Sequence, residues 1–103
     1  GLKKAIGVDV EQVKELPEYL DLAQHFFTPE EFNDIKEIRH FYNCWTAKEA
    51  YVKALGVGLQ KPLDSFCIKN DFIIEKGCRL DDWKIYQINQ IPDYALSIAV
   101  QEE

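Results

Sequence analysis

Residues His40 to Leu55 read HFYNCWTAKEAYVKAL and form a long segment without proline or glycine. Large apolar side chains recur along this segment at the spacing expected of a helix. Gly56 and Gly58 follow it, and glycine is the residue that most often ends a helix. The sequence therefore predicts a helix over residues 40–55, the longest element of the chain.

Two shorter helices are predicted in front of this segment. Residues Thr28 to Glu31 read TPEE, which combines an N-cap threonine, a proline at the first helical position and a capping-box glutamate. After Pro17, apolar residues recur at spacings of three and four as far as Phe26. Together with the long segment, these patterns predict a block of about three helices.

Strands are predicted on both sides of the helices. Residues 4–11 alternate, with Ile6, Val8 and Val10 on one side, which indicates a half-buried strand. After Pro62 the apolar period becomes two, with turn residues between the runs. These runs cover residues 66–69, 71–75, 83–91 and 94–100. One strand, a block of about three helices and an antiparallel β meander packed on the long helix make an α+β fold, with residues 1–103 as a single domain.

The composition limits the kinds of partner. The net charge is −6, from 12 basic and 18 acidic residues, which argues against nucleic-acid binding because that requires a basic surface. Residues 38–69 reverse the balance, with five basic residues against two acidic ones. This locally basic segment suggests a bound anion, and a merely solvated face is the alternative.

The expected location is the cytoplasm. No run of apolar residues is long enough to span a membrane, and the first residues lack the apolar core of a secretory signal, so no membrane partner is expected. The three cysteines are an odd number without CxxC spacing, which indicates neither a disulfide framework nor a zinc site.

Two groups of side chains have the spacing of a chemical site. Asp9 and Glu11 lie two residues apart on the first predicted strand, so their carboxylates point to the same face and would attract a cation such as Mg²⁺. Trp45, Glu49 and Lys53 share one face of the long helix, which Lys48 flanks. The alternatives are that the two acids simply face water, and that Glu49 and Lys53 form an ordinary helical ion pair.

Several motifs occur in one order along the chain, and together they resemble the 4′-phosphopantetheinyl transferases. The likeness is greatest to the C-terminal half of the larger, two-lobed class, which modifies carrier domains of peptide, polyketide and lipid synthases. The segments that carry it are Gly7–Glu11, Phe26–Thr28 with Glu31, Trp45–Ala50 with Lys53, Gly56–Leu59 and Pro62–Phe66.

The resemblance implies a reaction and a set of site residues. Asp9, Glu11 and Glu49 would hold a Mg²⁺ ion that also binds the pyrophosphate of coenzyme A, while Lys48 and Lys53 would contact its phosphates. The phosphopantetheine arm would pass to a serine of an acyl- or peptidyl-carrier protein, with release of 3′,5′-ADP. Glu49, or a water that it holds, would accept the serine proton, and Lys53 would stabilise the charge on the leaving phosphate.

The resemblance to one half of a larger enzyme leaves alternatives open. The small class of these transferases works as an oligomer with sites between subunits, so a homodimer or homotrimer is expected here. A non-catalytic half-transferase module, which binds metal, carrier protein or a partner chain, is the second possibility. A structural domain with solvated carboxylates is the third.

Overall fold

The computed structural model describes residues 4–56 and 61–102, and within these ranges it confirms the predicted α+β fold. In chain order the elements are β1 (Ile6–Gln12), α1 (Tyr19–Phe26), α2 (Pro29–Asn33), α3 (Ile38–Leu55), a 3₁₀ turn (Leu63–Ser65), β2 (Cys67–Lys69), β3 (Phe72–Glu75), β4 (Cys78–Arg79), β5 (Trp83–Ile88) and β6 (Tyr94–Gln101). Gly58, predicted to help end the long helix, lies outside the described residues, as does most of the Gly56–Leu59 motif.

The predicted meander is divided into two antiparallel sheets of three strands each in the part of the chain that the structure describes. One sheet has the order β1-β6-β5 and the other has the order β2-β3-β4. Lys76 and Gly77 both have positive φ angles, 53° and 76°, as a tight two-residue hairpin between β3 and β4 requires. Turn chemistry therefore located this turn, but the short strand β4 that follows it was not among the predicted runs. The pairing of β6 with both β1 and β5 separated the sheets.

Strand β1 lies directly against helix α3, and Gly7 makes this approach possible. A Cβ atom added at Gly7 would lie 2.0 Å from the Ala50 carbonyl oxygen and 2.5 Å from the Ala54 backbone nitrogen. The strand therefore turns Gly7 and Asp9 inward. Its apolar side chains Ile6, Val8 and Val10 face outward instead and are exposed.

The helices are fixed by their caps and by aromatic packing. The capping box predicted at the start of α2 is confirmed, because the Thr28 hydroxyl accepts a hydrogen bond from the Glu31 backbone N–H and the Glu31 carboxylate accepts one from the Thr28 N–H. Tyr51 on α3 packs edge-on against Phe66 and Trp83, with ring centroids 4.9 Å away in both cases. Among the described residues, no helix is both long enough and apolar enough to cross a membrane.

Candidate functional site

The inward face of β1 brings Asp9 into contact with the middle of α3. Asp9 is only 5% exposed, and its Oδ1 atom accepts a hydrogen bond from Lys53 Nζ at 2.6 Å. Its second carboxylate oxygen, Oδ2, is buried and has no hydrogen-bond partner among the described residues. Burying an oxygen without a hydrogen-bond partner is unfavourable, because the oxygen loses its hydrogen bonds to water and forms none in the protein.

The surroundings of Asp9 contain more negative than positive charge. Burial and the neighbouring Asp9 carboxylate raise the pKa of Glu49, and Lys53 only partly offsets this. Burial and Asp9 also raise the pKa of Glu11. The hydrogen bond to Asp9 raises the pKa of the Lys53 ammonium, which lies among all three carboxylates. Asp9 contributes to the pKa shift of each of the other three, so the four side chains lie near one another.

The donor set suits a hard divalent cation that brings other ligands with it. Within residues 4–56 and 61–102, no three histidine, cysteine, aspartate or glutamate side chains are gathered closely enough to hold a metal ion by themselves. Mg²⁺ commonly needs only one or two protein carboxylates, with water and phosphate oxygens completing its coordination. The partnerless Oδ2 of Asp9 and the raised pKa of Glu11 and Glu49 fit such an ion.

Lys48 does not join this cluster, which corrects the phosphate contact expected for it. Its side chain is fully buried, and its Nζ atom lies 2.9 Å from Glu31 Oε1. The ammonium also donates to the carbonyl oxygens of Leu63 and Phe66, at 2.6 Å and 2.5 Å. An ammonium has three protons, so these partners use all of them and leave none for a phosphate.

Two concave surfaces flank the carboxylate cluster. A groove of about 660 Å³ has Glu49 in its wall, together with Trp45, Phe26 and Lys61. A smaller pocket of about 240 Å³ has Glu11 at its edge and is otherwise mostly apolar. Trp45 lines both spaces and packs against the rings of Phe26, Phe27 and Phe41, so it separates them as a wall.

Comparison with known proteins places this arrangement in a family. The sequence profile of the 4′-phosphopantetheinyl transferase superfamily matches residues 5–99, which is nearly the whole chain. This chain belongs to the 4′-phosphopantetheinyl transferase superfamily.

Curated members of the superfamily match the chain over part of their length. A 4′-phosphopantetheinyl transferase of Bacillus subtilis is 39% identical over 72 residues, which are 64% of this chain and 31% of that protein. A 4′-phosphopantetheinyl transferase of Aneurinibacillus migulanus is 28% identical over 101 residues, which are 89% of this chain and 42% of that protein. The chain thus spans less than half the length of these relatives.

A solved structure shares the fold. The crystal structure of Thermotoga maritima holo-[acyl-carrier-protein] synthase superposes with a TM-score of 0.69 and 18% sequence identity. The match covers 96% of this chain and 63% of that protein. The likeness of fold thus extends over nearly all of this chain and about two thirds of that protein.

Sequence reasoning on this member of the superfamily missed the buried hub around Glu31. Besides capping α2, Glu31 accepts the Ile68 backbone N–H at 2.6 Å and pairs with Lys48. It therefore links α2 to both α3 and β2.

Proposed function

We propose that this chain transfers the 4′-phosphopantetheine arm of coenzyme A to a serine of an acyl- or peptidyl-carrier protein. The observation that carries the proposal is the convergence of Asp9, Glu49 and Lys53, with one buried Asp9 oxygen left without a partner. Membership of the superfamily supplies the reaction class. We further propose a cytoplasmic, homo-oligomeric protein, in line with the expectations from sequence.

In this proposal the carboxylates of Asp9, Glu11 and Glu49 bind Mg²⁺. Asp9 offers its free Oδ2 atom, while Glu11 and Glu49 lie beside it at raised pKa. A divalent ion would remove the mutual repulsion of these three groups, so deprotonation and metal binding favour each other. When bound, Mg²⁺ supplies positive charge next to the pyrophosphate of coenzyme A.

Lys53 is suited to contact a phosphate of coenzyme A. Its side chain is 54% exposed, and its one hydrogen bond within residues 4–56 and 61–102 is to Asp9. A cation bound at Asp9 would replace the ammonium as the neutralising charge, which frees Lys53 to turn toward an incoming phosphate. Charge develops on the leaving phosphate during transfer, and an ammonium held at that point lowers the barrier.

Glu49 is placed to accept the proton of the attacking serine. Its carboxylate borders the groove of about 660 Å³, and its raised pKa makes it a better base than an ordinary glutamate. The serine oxygen forms a bond to the β-phosphorus of coenzyme A, and the bond from that phosphorus to the 3′,5′-ADP oxygen breaks. The serine proton passes to Glu49 directly or through one water, and 3′,5′-ADP leaves with the bonding electron pair.

The groove beside Glu49 has the character needed for the acceptor or the pantetheine arm. Phe26, Trp45 and Val52 provide an apolar wall. Lys61 also lines the groove, but its ammonium is already paired with Glu75.

The test is transfer itself, measured by intact mass spectrometry. The purified chain is incubated with coenzyme A, Mg²⁺ and a panel of apo acyl- and peptidyl-carrier proteins. We expect carriers to gain the phosphopantetheine mass, and we expect Asp9→Asn and Glu49→Gln to reduce the rate at least about 100-fold. Asp81→Asn, whose side chain is 92% exposed and far from the cluster in sequence, is the matched control and should keep full activity. Carriers that all remain unmodified would contradict the proposal.

The second candidate is a half-transferase module that binds but does not transfer. The short span of the chain relative to its curated relatives is the observation in its favour. This module would bind coenzyme A in a Mg²⁺-dependent manner, measured by titration calorimetry, while every carrier stays unmodified. Addition of a partner chain that restores transfer would then identify what the module needs.

A further inference from the structure

A buried hydroxyl lies across the sheet from Asp9 and makes no hydrogen bond to it. Ser97 on β6 is the register partner of Asp9 on β1, and the two side chains are 0% and 5% exposed. Directly opposite residues of an antiparallel pair have Cβ atoms about 4.5–5.5 Å apart, which is close enough for a serine hydroxyl to donate to a carboxylate. The Asp9 Oδ2 atom nevertheless has no partner among the described residues. The Ser97 proton is therefore directed elsewhere.

Thr46 on α3 holds the Ser97 hydroxyl. The two hydroxyl oxygens lie 2.8 Å apart, and Thr46 is also fully buried. Thr46 Oγ1 lies 3.1 Å from the carbonyl oxygen of Asn43, and a carbonyl oxygen only accepts hydrogen bonds. A hydroxyl has a single proton, so the Thr46 proton goes to Asn43. Thr46 Oγ1 is then the acceptor for the proton of Ser97.

The opposite direction of the bond between the two hydroxyls would leave a buried proton without an acceptor. If Thr46 donated to Ser97, the Ser97 proton would need another acceptor, and the other hydrogen bond of this hydroxyl within the described ranges comes from Gln87 Nε2, a donor, at 3.3 Å. Buried polar groups are nearly always hydrogen-bonded, so the stable arrangement is the one that satisfies every proton. Donation therefore runs from Gln87 to Ser97, from Ser97 to Thr46 and from Thr46 to Asn43, away from Asp9.

This direction explains why a carboxylate oxygen stays without a partner beside a hydroxyl. A hydroxyl that donates to a carboxylate forms one of the stronger hydrogen bonds in proteins, and burying the oxygen without it is unfavourable. Without the acceptor on Thr46, the Ser97 hydroxyl would turn to Asp9 Oδ2. A cation would then have to break that hydrogen bond before it could bind the oxygen.

We infer that Thr46 is a positioning residue, which keeps Asp9 Oδ2 open for a divalent cation by holding the Ser97 proton away from it. Thr46 acts on the cation only through Ser97. The inference rests on the cation site of the proposed function. It does not depend on the transfer reaction, because cation binding is measured without coenzyme A or carrier protein.

The experiment compares the Mn²⁺ dissociation constants of the full chain and its variants, measured from the electron paramagnetic resonance signal of the free ion. Thr46→Val keeps the shape of the side chain and removes the acceptor. It should weaken Mn²⁺ binding at least about 10-fold, because the cation must displace a hydrogen bond to a charged group. Thr46→Ser keeps the hydroxyl, so it is the matched control and should bind Mn²⁺ like the wild type.

A double variant distinguishes this role from a merely structural one. Ser97→Ala removes the competing donor, so adding it to Thr46→Val should restore the wild-type dissociation constant. A packing defect caused by Thr46→Val would instead persist or grow when a second buried side chain is shortened. A structure of Thr46→Val without metal gives a further readout, and we expect Ser97 Oγ within about 3 Å of Asp9 Oδ2.

The outcomes separate the inference from the proposed function. A wild type that binds no Mn²⁺ would overturn both. Wild-type binding together with an unchanged dissociation constant for Thr46→Val would overturn the inference alone, and so would a double variant that binds as weakly as Thr46→Val. If Thr46→Val proves unfolded by circular dichroism, Thr46→Ala takes its place, because alanine also lacks the acceptor.

Discussion

Two lysines five residues apart on α3 have opposite surroundings, and this decides what each can do. Lys48 is fully buried and gives all its protons to Glu31 and to two backbone carbonyls. Lys53 is half exposed and pairs with Asp9. The first therefore fixes the position of the helix, and the second is free to take part in binding.

The difference predicts that the same substitution lowers stability far more at Lys48 than at Lys53. Lys48→Met leaves the Glu31 charge buried without its cation, so it should lower the free energy of unfolding by about 3–5 kcal/mol. Lys53→Met removes a largely exposed pair and should cost less than about 1 kcal/mol while reducing transfer activity. Urea unfolding followed by circular dichroism measures both. Equal stability losses for the two variants would contradict this assignment.

At the residue scale, sequence predicted the cluster and missed the hub for a physical reason. The spacing on a strand and on a helix indicated which side chains share a face, and the resemblance to the transferases implied that Asp9, Glu49 and Lys53 belong to one site. The partners of Lys48 are carbonyl oxygens of Leu63 and Phe66, and their position depends on how a distant turn folds over α3. Local spacing contains no information on such a contact.

At the scale of elements, the packing of β1 on α3 is what brings the site together. Alternation along residues 4–11 predicted a strand, but it did not say that the apolar side would face outward. The sequence signal for the buried side of the strand was Gly7, because only glycine allows the backbone to lie this close to Ala50 and Ala54. Secondary structure was therefore predictable here, while the buried face depended on the neighbouring helix.

Gly7→Ala tests this packing. The added methyl group would overlap the Ala50 carbonyl oxygen, so the strand and the helix must move apart. We expect the free energy of unfolding to fall by about 1–3 kcal/mol. We also expect weaker metal-dependent binding of coenzyme A, because the site lies between these two elements. Gly56→Ala is the control, because its φ of 88° strains an alanine but no described atom lies within 4 Å. It should lower stability and leave binding unchanged. Intact binding by Gly7→Ala would argue that the site does not need this contact.

Tyr51 packs α3 against Trp83 of β5 and against Phe66, and it makes the stability of the protein sensitive to alkaline pH. Burial raises its pKa from 10.0 to about 12. The unfolded tyrosine loses its proton near pH 10 while the folded one keeps it, so stability is complete below pH 10 and falls as the pH rises toward 12. The free energy of unfolding should therefore fall less in Tyr51→Phe than in the wild type over that range, with a difference of up to about 3 kcal/mol. Urea unfolding at each pH measures it. If the free energies of unfolding of the two proteins fall in parallel as the pH rises, the Tyr51 phenol does not contribute to the pH dependence of stability.

At the scale of the whole molecule, the fold is organised around β6, which pairs with both β1 and β5. Turn residues predicted where the chain reverses, but the pairing of β1 with β6 joins strands that are far apart in sequence. No local pattern specifies it, which is why one predicted meander became two sheets. This long-range pairing also sets Asp9 opposite Ser97 and so orients its carboxylate toward α3.

The central claim is that the end of β1 and the middle of α3 form one cation site. Its most direct test uses Mn²⁺, a paramagnetic substitute for Mg²⁺, added to the nitrogen-15-labelled chain during an NMR titration. The account predicts that the amide signals around Asp9, Glu11 and Glu49 lose intensity first, that excess Mg²⁺ restores them, and that Asp9→Asn abolishes the effect. Broadening centred on other acidic residues, such as Asp81 and Asp82, or no broadening at all, would contradict it.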